Sequence, residues 1–153
     1  MDYKTFVNKL LEDRLIKKQR VGFIQIEKIL IRAKKDLNTA KVIIETDGAI
    51  AYTAAYDAML RAGRAFMFMK GFRPSERYQH KTVVDFMSFS FGTRYKSLME
   101  LFDTMRKKRN RFLYEAIDIS QLEAKNAIKY AQELLNLITQ TVKKENPQKE
   151  FRF

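Results

Sequence analysis

The sequence contains no cysteine, and its 153 residues include only five glycines and two prolines. The absence of cysteine excludes disulfide bonds, thiolate metal sites and cysteine nucleophiles. The glycines and prolines are too few for a β-sandwich or β-barrel, in which tight turns recur. Because the prolines are only Pro74 and Pro147, the long stretches on either side of residue 74 are free to be helical.

Long hydrophobic runs are also missing. No apolar run approaches the roughly 20 residues that a membrane-spanning helix requires. The first residues mix Lys9, Glu12 and Asp13 with apolar side chains, which is unlike a secretory signal. We therefore expect one cytoplasmic domain that makes no contact with a membrane.

Positive charge is abundant. The chain has a formal net charge of +12 and an isoelectric point near 9.9. A balance of this kind favours a polyanionic ligand such as RNA, DNA or a nucleotide, or an acidic partner protein. The alternative is a solvated surface whose charge only keeps the protein in solution.

Apolar residues recur at helical spacing through almost the whole chain, which predicts an all-α, antiparallel bundle of five to six helices. A single domain spans residues 1–153, with a basic N-terminal helix over 1–20, a bundle core over 23–144 and a flexible tail over 145–153. Residues 72–75 read as a loop. The individual helices are expected at about 2–20, 23–46, 49–70, 76–90, 94–115 and 121–144.

The third helix carries a stripe of small residues, which lets another helix approach closely and favours dimerisation if one face stays uncovered. The stripe consists of Ala51, Ala55, Ala58, Ala62 and Ala65.

Arg109 lies on the apolar seam of the fifth helix, where another hydrophobic residue is expected after Phe102 and Met105. A buried guanidinium needs a partner, because leaving it unpaired is costly. That partner is a carboxylate, backbone carbonyls, a ligand phosphate or a wet interface. An internal ion pair would use an acidic residue of another helix, such as Asp57 or Glu123.

Cations surround this position. Arg106, Lys107, Lys108 and Arg111 are the candidates to hold flanking phosphates, although such runs often form solvated faces. Asn110 and Tyr114, four residues apart, share a helix face and could join Arg109 near the helix end. His80, the only histidine, reads as a structural or surface residue, because nothing in the sequence brings it to Arg109. No metal and no cofactor are expected.

The segment Arg109-Asn110-Arg111-Phe112-Leu113-Tyr114 resembles a variant of the HEPN family motif, in which an arginine, often followed by asparagine, precedes a histidine near a helix end. Residues 51–62 and 71–74 are similar to the family in the same order. The resemblance implies a helical bundle that dimerises, with the motif arginines lining a cleft at the dimer axis. Many members are metal-independent endoribonucleases, several are toxins with a minimal nucleotidyltransferase as antitoxin, and others are inactive modules that bind RNA or nucleotides.

The family's histidine would fall at Tyr114. Free tyrosine is a poor general base at pH 7, because only roughly one part in a thousand is phenolate. Tyrosine at this position counts against catalysis, whereas the Arg109-Asn110 pair favours it, so the resemblance implies a metal-independent ribonuclease or toxin component as one reading. Single-stranded RNA is the expected substrate, because a cleft takes a splayed strand more easily than a duplex. Arg109 would stabilise phosphate charge, Asn110 would orient the phosphate, and Tyr114 would transfer a proton or position the substrate. The alternatives are an inactive module that binds RNA, a nucleotide or an acidic partner, and a purely structural bundle.

Overall fold

A computed structural model describes residues 1–147, and it is an all-α bundle, as predicted, with one very small sheet. Within these residues, no helix combines the length and apolar character needed to cross a membrane. Residues 148–153, which belong to the predicted tail, lie outside the described part. The elements are α1 (Tyr3–Glu12), β1 (Ile16–Lys18), α2 (Phe23–Ile43), α3 (Gly48–Met69), β2 (Phe72–Pro74), α4 (Gln79–Phe91), a 3₁₀ turn (Thr93–Tyr95), α5 (Lys96–Arg111) and α6 (Gln121–Glu145).

Helix α3 is the centre of the bundle and packs against α2, α4, α5 and α6. All five alanines of its small-residue stripe are completely buried, as close helix packing requires. Gly63 continues this close approach towards α4, because a Cβ atom at that position would lie 2.4 Å from Cγ1 of Val83. The missing side chain of Gly63 therefore lets α4 lie close to α3.

The ends of the helices are held by side chains. Asp47 accepts a hydrogen bond from the backbone N–H of Ile50 at 3.1 Å, and Ser120 accepts one from the N–H of Glu123 at the same distance. Each satisfies a backbone donor that the first turn leaves free. At the C-terminal end of α2, Nε2 of Gln121 donates to the carbonyl oxygen of Ile44 at 2.9 Å.

The N-terminal helix predicted over residues 2–20 is wrong in its second half. Helix α1 ends at Glu12, and the chain turns through Arg14, which has a left-handed φ of 57°. Strand β1 then pairs antiparallel with β2, with Ile16 opposite Pro74. The segment predicted as a loop over 72–75 is thus mostly a strand. This pairing joins residues far apart in sequence, so local helical periodicity could not reveal it.

The predicted fifth helix, 94–115, is also too long at its C-terminal end. Helix α5 ends at Arg111, and residues 112–115 form a turn in which the N–H of Glu115 donates to the carbonyl oxygen of Arg111 at 2.8 Å. Phe112 directs this turn inwards, because its ring packs edge-on against Tyr52 of α3 at a centroid distance of 5.9 Å. The end of α5 is therefore anchored on α3.

Candidate functional site

The basic run at the end of α5 is largely neutralised by carboxylates. Four of its five cations form ion pairs, whereas Arg109 has no ion pair or hydrogen bond with any residue of 1–147. The run thus contains a single uncompensated guanidinium, and it is the one on the apolar seam. The four pairs are Arg106–Asp103 at 2.8 Å, Lys107–Asp103 at 3.3 Å, Arg111–Glu115 at 2.9 Å, and Lys108–Glu123.

Arg109 is half-buried between α5 and α3. Its charge acts on Tyr56, Asp57 and His80, which places the guanidinium close to all three. Burial raises the pKa of the Asp57 carboxyl above its ordinary value, and the charge of Arg109 opposes that rise. Neither ion pair considered from the sequence is formed, since Asp57 lies beyond ion-pair distance and Glu123 is paired with Lys108.

Helix α3 contributes a line of charged side chains along its only half-buried stripe. Asp57, Arg61 and Arg64 follow one another at helical spacing there, while most of the helix is fully buried. Arg61 donates to the carboxylate of Asp36 at 2.6 Å, and Arg64 donates to the side-chain oxygen of Gln79. These residues were not predicted from the sequence, although charges that recur at i, i+4 and i+7 on an otherwise apolar helix are a signal.

His80 lies in the first turn of α4 and contacts α3. Its Nδ1 is 3.1 Å from Oη of Tyr56, which is completely buried. Burial lowers the pKa of His80, and the positive charges of Arg64, Arg109 and Arg106 lower it further. We call these three guanidinium groups the cationic cluster. The fold therefore brings His80 beside Arg109, which the sequence alone did not indicate.

Asn110 and Tyr114, the other two predicted catalytic residues, lie on the outside of the molecule. Asn110 is exposed, and Tyr114 is 87% exposed in the turn after α5. The Tyr114 side chain has no hydrogen bond, ion pair or ring contact with the rest of residues 1–147. The structure thus groups Arg109 with His80 and Tyr56, and it leaves Tyr114 apart from them.

An open groove of about 490 Å³ lies between α3 and the turn that follows α5. Asp47, Asp57 and Glu115 line it, so its three carboxylates would repel a phosphate. An anion that contacts Arg109 is therefore expected on the side where Arg64 and Arg106 lie, and not in this groove. In the described part of the chain, no group of three or more histidine, aspartate or glutamate residues is arranged to hold a metal ion.

Comparison with known proteins gives one match. No curated protein and no solved structure shows significant similarity to the chain. A family model described as the HEPN domain matches residues 26–144, from the first half of α2 to the last turn of α6. This range covers most of the bundle and contains every residue of the cationic cluster. The chain therefore belongs to the HEPN domain family.

Proposed function

We propose that this chain is an RNA-binding HEPN subunit and that the cationic cluster holds a phosphate of the RNA backbone. The main support for this proposal is Arg109. Its guanidinium group is half-buried and has no carboxylate partner among residues 1–147. A charge kept in such a place needs a partner, and a phosphate oxygen can supply it with directed hydrogen bonds.

Two further features support an anionic ligand at this place. Arg64, like Arg109, makes no ion pair with a described residue, and its hydrogen bond among residues 1–147 goes to the neutral side chain of Gln79. The net charge of +12 would attract a polyanion from a distance. Single-stranded RNA is the better substrate, because a flexible strand can enter a site between helices more easily than a duplex.

The second candidate function is cleavage of the bound RNA without a metal ion, as in the ribonucleases of the family. In this proposal Arg109 stabilises the charge that develops on the phosphate, Asn110 orients the phosphate, and Tyr114 transfers a proton or positions the substrate. Arg106, Lys107, Lys108 and Arg111 would hold flanking phosphates, in competition with the carboxylates that they contact. If no cleavage occurs, the chain is an RNA-binding module.

Partner proteins belong to the same proposal. A second copy of the chain and a minimal nucleotidyltransferase, in a toxin–antitoxin pair, are the partners that the family suggests. Leu113, Tyr114 and Leu122 support a protein contact, because they expose 66%, 87% and 69% of their surface around the start of α6. Light scattering on the purified chain would measure whether it dimerises.

The test of RNA binding compares Arg109→Ala with Arg94→Ala. Arg94 is an exposed arginine at the opposite end of α5, stacked on Tyr95 and roughly 20 Å away along the helix. Fluorescence anisotropy with a 20-nucleotide single-stranded RNA would be recorded between 50 and 200 mM KCl. We expect Arg109→Ala to weaken binding about tenfold, or about 1.4 kcal/mol, and to reduce the salt slope by about 0.7.

Arg94→Ala removes the same charge and should leave the affinity within about twofold of wild type. Equal losses in the two variants would mean that only the overall charge matters. Unaltered binding by a folded Arg109→Ala protein would refute a phosphate site at the cationic cluster.

A further inference from the structure

His80 is the only histidine of the chain, and the fold fixes one side of its ring. Tyr78, just before α4, has a left-handed φ of 54°, and after this turn both Gln79 and His80 meet α3. Gln79 accepts a hydrogen bond from Arg64, while His80 shares its Nδ1 with the buried hydroxyl of Tyr56. The first turn of α4 is thus held against α3 by two polar contacts, which orient the imidazole.

The other ring nitrogen is free. Nε2 of His80 makes no hydrogen bond with any residue of the described range 1–147. When the N–H of Nδ1 donates to Oη of Tyr56, Nε2 carries the lone pair of the neutral ring. Burial together with the positive charges of Arg64, Arg109 and Arg106 lowers the pKa of His80, and this favours the neutral form. The structure therefore holds a proton acceptor next to guanidinium groups that suit a phosphate.

We propose that His80 is the general base for cleavage of single-stranded RNA whose phosphate is bound at the cationic cluster. This inference rests on the RNA binding proposed above. It assigns the proton transfer to a residue of α4, in place of the exposed Tyr114 at the family's motif position. Tyr56 acts as a positioning residue, because it contacts the imidazole and is completely buried.

The reaction balances without a metal ion or an added reactant. Nε2 of His80 takes the proton of the ribose 2′-hydroxyl, and the 2′-oxygen forms a bond to the adjacent phosphorus. The bond between phosphorus and the 5′-oxygen breaks, and the leaving oxygen takes a proton from water, whose hydroxide then removes the proton from His80. Arg109 stabilises the negative charge on the phosphoryl oxygens during the attack. The products carry a 2′,3′-cyclic phosphate and a 5′-hydroxyl.

The test separates the chemical step from binding. Four proteins would be purified in parallel: wild type, His80→Asn, Tyr114→Phe and Arg94→Ala. Each would be mixed, in excess, with labelled single-stranded RNA in EDTA. Asparagine keeps a polar atom near the position of Nδ1 and removes the base. We expect His80→Asn to slow single-turnover cleavage at least about 100-fold. The RNA dissociation constant of this variant should stay within about twofold of wild type, and its melting temperature should be unchanged. Arg94→Ala is the matched control for contaminating nucleases, and it should cleave like wild type.

The remaining outcomes would overturn the proposal in distinguishable ways. A larger loss in Tyr114→Phe than in His80→Asn would place the proton transfer at the motif position. RNA binding by wild type without any cyclic-phosphate product would refute His80 as a base and leave the RNA-binding function intact. Absence of both binding and cleavage would refute the two proposals together. If His80→Asn fails to fold, His80→Gln tests the same loss of the base.

Discussion

The close packing of α4 on α3 at Gly63 gives a stability prediction whose sign depends on one neighbouring side chain. Gly63 is buried in α3, and alanine there would gain about 1 kcal/mol from helix propensity. Its Cβ would, however, lie 2.4 Å from Cγ1 of Val83, more than 1 Å inside an ordinary carbon–carbon contact. Overpacking of this kind costs about 1–3 kcal/mol. Gly63→Ala should therefore lower the free energy of unfolding by up to about 2 kcal/mol.

The same substitution should stabilise a Val83→Ala background. Removing the valine methyl groups leaves Met87 Cγ, at 3.5 Å, as the nearest remaining neighbour of the new Cβ, which is an ordinary contact. Val83→Ala itself should cost about 1–3 kcal/mol, because Val83 is completely buried. In the Val83→Ala background, Gly63→Ala should then raise the free energy of unfolding by about 1 kcal/mol. The coupling energy between the two substitutions is therefore about 1–3 kcal/mol.

Urea unfolding followed by circular dichroism, at one fixed protein concentration, would measure all four proteins of this cycle. The m-values should agree, so that differences in midpoint report stability. Equal effects of Gly63→Ala in the two backgrounds would refute the argument, because the contact with Val83 would then carry no energy. If Gly63→Ala loses RNA cleavage and the double variant Gly63→Ala/Val83→Ala keeps it, the spacing between α3 and α4 controls the position of His80.

Two further predictions concern pH and a helix cap. Burial and the charge of Arg64 lower the pKa of His80 in the folded chain. Below about pH 6.5, His80 is therefore protonated in the unfolded chain before it is protonated in the folded chain. The free energy of unfolding of wild type should therefore fall between pH 7 and 5.5 more steeply than that of His80→Gln, and parallel urea midpoints across this range would contradict the assignment. Ser120→Ala should lower the stability by about 1 kcal/mol, because it removes the hydrogen bond to the N–H of Glu123. Ser97→Ala, at an exposed position of α5, is the control. Equal melting temperatures for Ser120→Ala and Ser97→Ala would contradict a stabilising role of the Ser120 cap.

Much of the bundle could be predicted because its helices follow local rules. The apolar seam of α6 and its Ser120 cap are both visible in sequence, and the helix begins at Gln121 as expected. The alanine stripe of α3 predicted close packing, which the structure confirms. The pairing of β1 with β2 could not be predicted in this way, because it depends on hydrogen bonds between residues more than 50 positions apart.

The candidate site was only partly predictable for a similar reason. The position of Arg109 on an apolar seam follows from periodicity alone. Its neighbours His80 and Arg64 come from α4 and α3, and their proximity depends on how three helices meet. The family motif directed attention along α5 to Tyr114, whereas the fold groups Arg109 with residues of other helices. Sequence spacing identifies residues on one helix face, and it is silent about residues that converge across helices.

The pattern of ion pairs, more than the number of cations, indicates where a phosphate would bind. The run over 106–111 has five positive charges, yet a phosphate at Arg106, Lys107, Lys108 or Arg111 must compete with a carboxylate already in contact. At Arg109 it meets no such competitor among residues 1–147, and the half-buried setting strengthens the attraction relative to open solvent. A phosphate at Lys107 must displace the contact with Asp103, which offsets part of its gain, so Lys107→Ala should weaken RNA binding less than Arg109→Ala. The site is thus expected on the inner side of α5, towards α3 and α4.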